Sequence, residues 1–244
     1  GLFCVILGGK MIKTAILIDG GFYRQNAKRL FGEATPVERA DELVRYCMAH
    51  IQGKNNHNPT YLYRIFYYDC PPIAKKAYHP FLKKQINLGE SDVYKWGIEF
   101  LEELKKKRKF ALRLGRISEE QCGYVLSAET IKKLCNGKIA WGELTESDFQ
   151  IDIIQKGVDM KIGIDIASLA YKKQVDQIIL ISGDSDFVPA AKLARREGID
   201  FILDNMTSHI KDDLFEHIDG IRTKVKFILS QKNNISKNLD DYFE

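Results

Sequence analysis

The apolar positions fall into runs of two periods, and their order along the chain is informative. Thr14 to Ile18 (TAILI) is a continuous apolar run that ends in Asp19-Gly20-Gly21, the pattern of a strand buried on both faces with a tight exit turn. After Gly21 the period becomes helical. A second helix is predicted from Pro36 to about Ile51, with Pro36 near its start and the Asn/Gly/His-rich segment Gly53 to Pro59 ending it. Tyr61 to Tyr68 (YLYRIFYY) is aromatic and apolar and predicts a second strand. Cys70-Pro71-Pro72 then breaks the rhythm. Two amphipathic helical patterns follow, around 74 to 88 and 95 to 108, and a strand is placed at Phe110 to Ile117. Alternation returns with a helix at 159–173, a strand at Gln177 to Ser182, and a helix from about Asp186 to Glu197 that Gly198 is placed to end. Phe201 to Leu203 gives another strand, and a short helix near 208–216 follows.

Strand-helix alternation of this kind implies an α/β fold with a mostly parallel sheet, right-handed crossovers and helices on both faces. Functional groups in such sheets gather beyond the carboxyl ends of the strands. The organisation read from the pattern is an extension at 1–12, a main domain at 13–232 and a polar tail at 233–244. The main domain carries an insertion at about 70–109 and an irregular segment at 118–150. The apolar stretch 1–10 (GLFCVILGGK) is either a vector-derived remnant or an extra edge strand.

A chain of 244 residues, 45% hydrophobic, can bury a real core without help from disulfides. Its five cysteines (Cys4, Cys47, Cys70, Cys122, Cys135) are scattered and show no Cys-x-x-Cys pairs. They are read as reduced thiols rather than zinc ligands or a disulfide framework. With no apolar run near the roughly 20 residues needed to span a bilayer and no basic start of a signal peptide, a soluble cytoplasmic protein is expected. The net charge of +4 is unevenly spread: residues 70–117 hold 12 Lys/Arg against 5 Asp/Glu, an excess of +7 that leaves the remainder at −3. A basic, helical insertion thus sits beside an acidic body.

The acidic residues stand where the sheet argument puts chemistry. Asp19 directly follows the first strand, and Asp184 follows Ile178 to Ile181 by only Ser182 and Gly183. Asp186 and Asp159 each lie at the start of a helix. Carboxylates gathered without cations repel one another and gain raised pKa values. A divalent cation resolves that conflict, and a sparse Asp cluster suits Mg2+ or Mn2+. In-line hydrolysis of a phosphodiester is the reaction such a site would perform. Each residue also has an ordinary role: Asp19 before Gly as a turn former, Asp186 as a helix cap, Asp159 as a first-turn acid. Asp165 falls on a different helical face from Asp159, and Asp204 ends a strand that the crossover can carry away from the others.

Three quoted segments carry a resemblance: Ile16-Leu17-Ile18-Asp19-Gly20, Lys156-Gly157-Val158-Asp159 with Asp165 after it, and Ile181-Ser182-Gly183-Asp184-Ser185-Asp186-Phe187. In this order they resemble the NYN family, the PIN-like nuclease domain also found in LabA-type bacterial proteins, over residues 13–69 and about 110–205. The resemblance implies a PIN-like three-layer α/β/α sandwich and endoribonuclease activity. It places catalytic, metal-binding acids at Asp19, Asp159, Asp184 and Asp186. Ser182 looks like the family's polar neighbour of the third acid, and Asp165 is a supporting candidate. Many NYN proteins have Asn three residues after the first Asp; this chain has Phe22, and Asn26 is the candidate substitute.

RNA is the expected partner, and a cationic wall for it is sought in the insertion: Lys105, Lys106, Lys107, Arg108 and Lys109, followed by Arg113 and Arg116. The aromatics Tyr78, Phe81, Tyr94, Trp96 and Phe110 interleave with these charges, either stacking bases or packing in the core. A homo-oligomer or a regulatory protein partner stays open. The competing readings are a weakly cleaving RNA-binding module that retains the acids and, behind it, a metal-dependent phosphatase. The haloacid dehalogenase pattern needs Asp-x-Asp, and position 21 is Gly. Gly-x-Gly-x-x-Gly and the P-loop pattern are both missing, which disfavours dinucleotide and NTP chemistry.

Overall fold

The computed structural model describes residues 11–52, 59–118, 122–209 and 212–240; residues 1–10 lie outside them, so neither reading of that stretch is tested. A six-stranded parallel sheet forms the centre, built from β1 (Ile12–Asp19), β2 (Thr60–Asp69), β5 (Phe110–Leu114), β10 (Gln177–Ile181), β11 (Asp200–Asp204) and β12 (Gly220–Ile221) in the order β12-β11-β10-β1-β2-β5. From β1 the chain builds outward through β2 to β5. It then crosses back to β10 on the other side of β1 and builds outward again. The crevice between the carboxyl ends of β1 and β10 is therefore the topological switch point, the place where open α/β sheets bind ligands.

Side-chain alternation sends each central strand into two cores. Ala15, Leu17, Tyr68, Ile178 and Leu180 pack beneath α5 (Val158–Tyr171) and α6 (Val188–Arg196). Ile16, Ile18, Tyr67, Ile179 and Ile181 face the opposite layer, where α1 (Gly20–Phe31), α2 (Pro36–Ile51), α3 (Asp92–Lys106) and α8 (Val225–Asp240) lie. The result is an α/β/α sandwich, as the alternation predicts. Local chemistry fixes the helix starts. Thr35 and Glu38 form a reciprocal capping box with Pro36 in the first turn of α2, and Ser91 caps α3 through the amide of Tyr94.

Several expectations change. The helix expected around 74–88 is a hairpin, β3 (Lys76–His79) with β4 (Lys84–Asn87). Ala77 and His79 are buried while Lys76 and Tyr78 are exposed, a period of two that only a strand produces. The strand expected at 110–117 breaks at Gly115, where an added Cβ would lie 2.7 Å from the Lys156 carbonyl. Beyond it, β6 (Arg116–Ile117) pairs antiparallel with β9 (Gln155–Lys156). The irregular segment holds a second hairpin, β7 (Gly123–Leu126) with β8 (Phe149–Asp152), around the short helix α4 (Ala128–Cys135). His79 meets Tyr124 and Phe149 across the two hairpins, at ring-centroid distances of 4.3 and 5.4 Å. The tail expected from residue 233 is helical to Asp240, as the continuation of α8.

Asp204 ends β11 on the face of Ile202 and belongs to a buried network. Its Oδ2 accepts from Tyr46 Oη at 2.6 Å and contacts His50 Nε2 at 2.8 Å, and its Oδ1 accepts from the Met206 amide. Burial holds the His50 pKa below the ordinary 6.5. The unfolded chain therefore binds the extra proton, and stability present above pH 6.5 is lost as pH falls through the folded value. Tyr46→Phe is expected to cost about 1.5–3 kcal/mol, the range for a hydrogen bond to a charged group. Urea unfolding measures this, and an unchanged midpoint would remove the network from the fold's support.

Candidate active site

Asp19 is the last residue of β1 and the cap of α1, its Oδ1 accepting from the Phe22 amide at 3.1 Å. On the neighbouring strand, Ser182 follows β10 on the same face and donates from Oγ to Asp19 Oδ2 at 3.4 Å. The same hydroxyl accepts from the Asp184 amide at 3.2 Å, and Asp184 Oδ1 accepts from the Asp186 amide at 3.0 Å. One short loop, Ser182 to Phe187, thus ties the first acid to the third and fourth. Asp159 stands exposed in the first turn of α5, after Gly157 in the left-handed conformation (φ 82°).

Electrostatics links all four. Burial raises the Asp19 pKa above the ordinary 3.8; the Phe22 amide opposes this, and the negative charges of Asp159 and Asp69 add to it. Asp159 is raised first by burial and then by the charges of Asp184 and Asp186. Among the described residues, none of Asp19, Asp159, Asp184 and Asp186 forms an ion pair. Two further acids contrast with them. Asp69, a buried carboxylate at the end of β2, is held by Arg24 at 2.9 Å and by the Tyr67 hydroxyl at 2.9 Å. Asp165 accepts from Tyr68 at 2.8 Å and from Arg113 Nε at 3.0 Å.

Asp69 was missed at the level of sequence, although it ends a strand just as Asp19 does. A Cβ on Gly20 would lie 2.7 Å from its Oδ2 and 2.5 Å from the Tyr67 ring, so only glycine lets α1 start this close. Phe22 also gains a role: a Cβ on Gly183 would lie 2.6 Å from its ring, which covers the acidic loop. Asn26 does not replace the family's Asn at the acids. Among the described residues its amide is engaged by Phe22, Arg29 and Ser208, because it sits one helical turn below the crevice.

The basic run is also placed differently from the expectation. The Lys109 carbonyl accepts from Ile65, while Asp19 registers with Tyr68. Lys105 to Lys109 therefore lie toward the amino edge of the sheet, away from the acids. Lys105 and Lys106 pair with Glu102 and Glu103, Lys107 pairs with Asp41, and Lys109 donates to the Leu62 carbonyl and covers the Tyr61 ring. Arg113 is committed to Asp165. Arg116 stays exposed and registers directly opposite Lys156, three residues before Asp159. Like charges opposed across a strand pair are unfavourable, so this pair is positioned at a cost in stability.

No three His, Cys, Asp or Glu side chains among the described residues close into a ready-made cation cage. The arrangement is an open acidic rim with oxygen donors only. That donor set fits a hard cation such as Mg2+, which keeps several waters and takes one or two carboxylates directly.

Residues 121–219 match the family model of the NYN domain. The matched span contains Asp159, Asp165, Ser182, Asp184 and Asp186; Asp19 lies before it. Among solved structures, a protein of unknown function from Vibrio parahaemolyticus aligns over 88% of this chain and 94% of its own at 14% identity and a TM-score of 0.44. No curated protein matches the chain. No helix among the described residues is long and apolar enough to cross a membrane.

The raised Asp19 pKa, set first by burial and then by the neighbouring acids, has a measurable consequence. A carboxyl whose folded pKa is raised destabilises the fold progressively as pH rises above 3.8, and fully once pH exceeds the folded value. Asp19→Asn keeps the cap of α1, since Asn caps as well as Asp. In chelator at neutral pH it is expected to melt a few degrees above the parent, with the gain closing as pH falls toward 3.8. A variant that melts lower at neutral pH would mean that the Asp19 carboxylate is not held at a cost by burial and its acidic neighbours.

Proposed function

We propose that the chain is a divalent-metal-dependent endoribonuclease that hydrolyses RNA phosphodiesters at Asp19, Asp159, Asp184 and Asp186. The observation that carries this reading is the set of carboxylates, without ion-pair partners among the described residues, that distant segments bring to the switch point of the sheet. Carboxylates that served only as caps would have no reason to gather at one crevice. The NYN match supports a nuclease class. When bound, a Mg2+ or Mn2+ ion supplies Lewis acidity toward the phosphodiester and offsets charge that develops in the transition state.

The protein's own residues set the geometry. The Phe22 amide holds Asp19 Oδ1, the Ser182 hydroxyl its Oδ2, and the Asp186 amide holds Asp184 Oδ1. Ser182 ties the two loops together. Arg116 and Lys156 offer a cationic wall beside Asp159, where phosphates flanking the scissile one would lie.

Purified protein incubated with single-stranded RNA is expected to cut it in Mn2+ or Mg2+ and to stop in chelator. Asp19→Asn and Asp184→Asn should lower turnover by more than the roughly 10–100-fold typical of changes next to a metal ligand, and Ser182→Ala should fall within that range. Cleavage that persists in chelator, or in both Asn variants, overturns the assignment. Binding without turnover favours the alternative of a regulatory RNA-binding module.

Arg116→Ala and Lys156→Ala should each weaken RNA binding and lower the salt slope by about 1. The Lys105, Lys106, Lys107→Ala triple variant should leave that slope unchanged. The opposite pattern would return the substrate path to the amino edge.

A further inference from the structure

Beside the acids lies a cavity of about 350 Å³ that the proposed chemistry does not use. Its walls come from both excursions of the chain: Tyr94 and Phe100 on α3, Ile117 on β6, and Tyr124 and Ile151 on the β7–β8 hairpin. The chain enters this region through Pro72, against which Gly97 of α3 packs; a Cβ there would lie 3.1 Å from the proline ring. The lining is mainly apolar and aromatic. Its polar members include Arg24, Asp69 and Gln155.

Two observations specify an occupant. Asp69 is shared between cavity and catalytic rim, because its carboxylate lies against the position of Gly20, next to Asp19. Arg24 directs its Nη2 to Asp69, but its buried Nε has no hydrogen-bond partner. A buried donor left unpaired costs roughly 1–3 kcal/mol, a cost that an acceptor on a ligand would remove.

From these features we propose that the cavity is a base pocket: it takes one unstacked nucleobase of the RNA, adjacent to the phosphodiester at the acids. This inference rests on the nuclease reading. A base offers two apolar faces for the aromatic walls and a hydrogen-bonding edge for the Arg24, Asp69 and Gln155 end. The volume lies near the lower bound of the roughly 300–1,000 Å³ of small-ligand sites, enough for one nucleoside, and a base reaches walls on both its faces only when it is unpaired and unstacked. The enzyme would therefore require an unpaired nucleotide at this position and would reject continuous duplex. Specificity would reside in the inserted segments rather than in the acids.

The test is a binding cycle in chelator, which is independent of turnover. The parent protein and Ile151→Trp, which fills the cavity, are titrated with a short unpaired RNA and with copies carrying one abasic residue at each position in turn. Loss of one stacked base is expected to weaken parent binding about tenfold at a single position, the equivalent of about 1.4 kcal/mol. Ile151→Trp should weaken binding of the intact RNA by a similar factor and show no further loss on that abasic copy. Independent, multiplying losses, or a variant that binds intact RNA like the parent, overturn the pocket.

Tyr124→Ala carries the same cycle if Ile151→Trp fails to give a cooperative melt. Non-multiplying losses with no cleavage in Mn2+ would leave the pocket standing and remove the nuclease reading. Cleavage with multiplying losses would do the reverse.

Discussion

The parallel pairing of β1 with β10, which sets Asp19 beside the Ser182–Phe187 loop, is the constraint around which the acidic rim is arranged. The parallel register sets Ile18 beside Ile181, so the residues that follow each strand emerge side by side. Backbone amides, rather than lysines or arginines, then hold the acids in place. An amide orients a carboxylate without neutralising it, and the negative potential stays available to a cation. Where the chain instead needs an acid for structure, it supplies a partner: Arg24 for Asp69, Arg113 for Asp165, Tyr46 and His50 for Asp204.

Strand parity decides which acids reach the rim. Asp19 and Ser182 share the face of Leu17 and Leu180, toward the first turn of α5 where Asp159 stands. Asp204 shares the face of Ile202 and meets Tyr46 and His50 in the opposite layer. Both aspartates end apolar strands, yet a difference of one residue in parity separates an acid at the rim from a fully buried one.

The sheet was legible because its strands are long, apolar and separated by helical periods. Asp19 stood out in the sequence because it ends its strand, and Asp184 because only Ser182 and Gly183 separate it from Ile181. What could not be read was set by contacts distant in sequence. The β3–β4 hairpin carries charged outward positions that imitate an amphipathic helix, and its inward side depends on Tyr124 and Phe149. Asp69 followed its strand as plainly as Asp19, but its proximity to Gly20 exists only once β2 pairs with β1. The lysine run looked like a substrate wall because charge density in sequence carries no information about which end of a strand it occupies. Arg116 and Lys156 lie 40 positions apart and become neighbours only through the β6–β9 pair.

Both excursions, from Cys70 to Lys109 and from Gly115 to Lys156, leave the carboxyl end of one sheet strand. The first returns through α3 to begin β5, and the second returns directly into α5. Neither interrupts a ladder between sheet strands, so residues can be added or removed in the hairpins without shifting the register that holds Asp19 beside Ser182. Such an architecture separates two kinds of variation: drift in the hairpins reshapes what approaches the rim, whereas drift in the sheet would dismantle it.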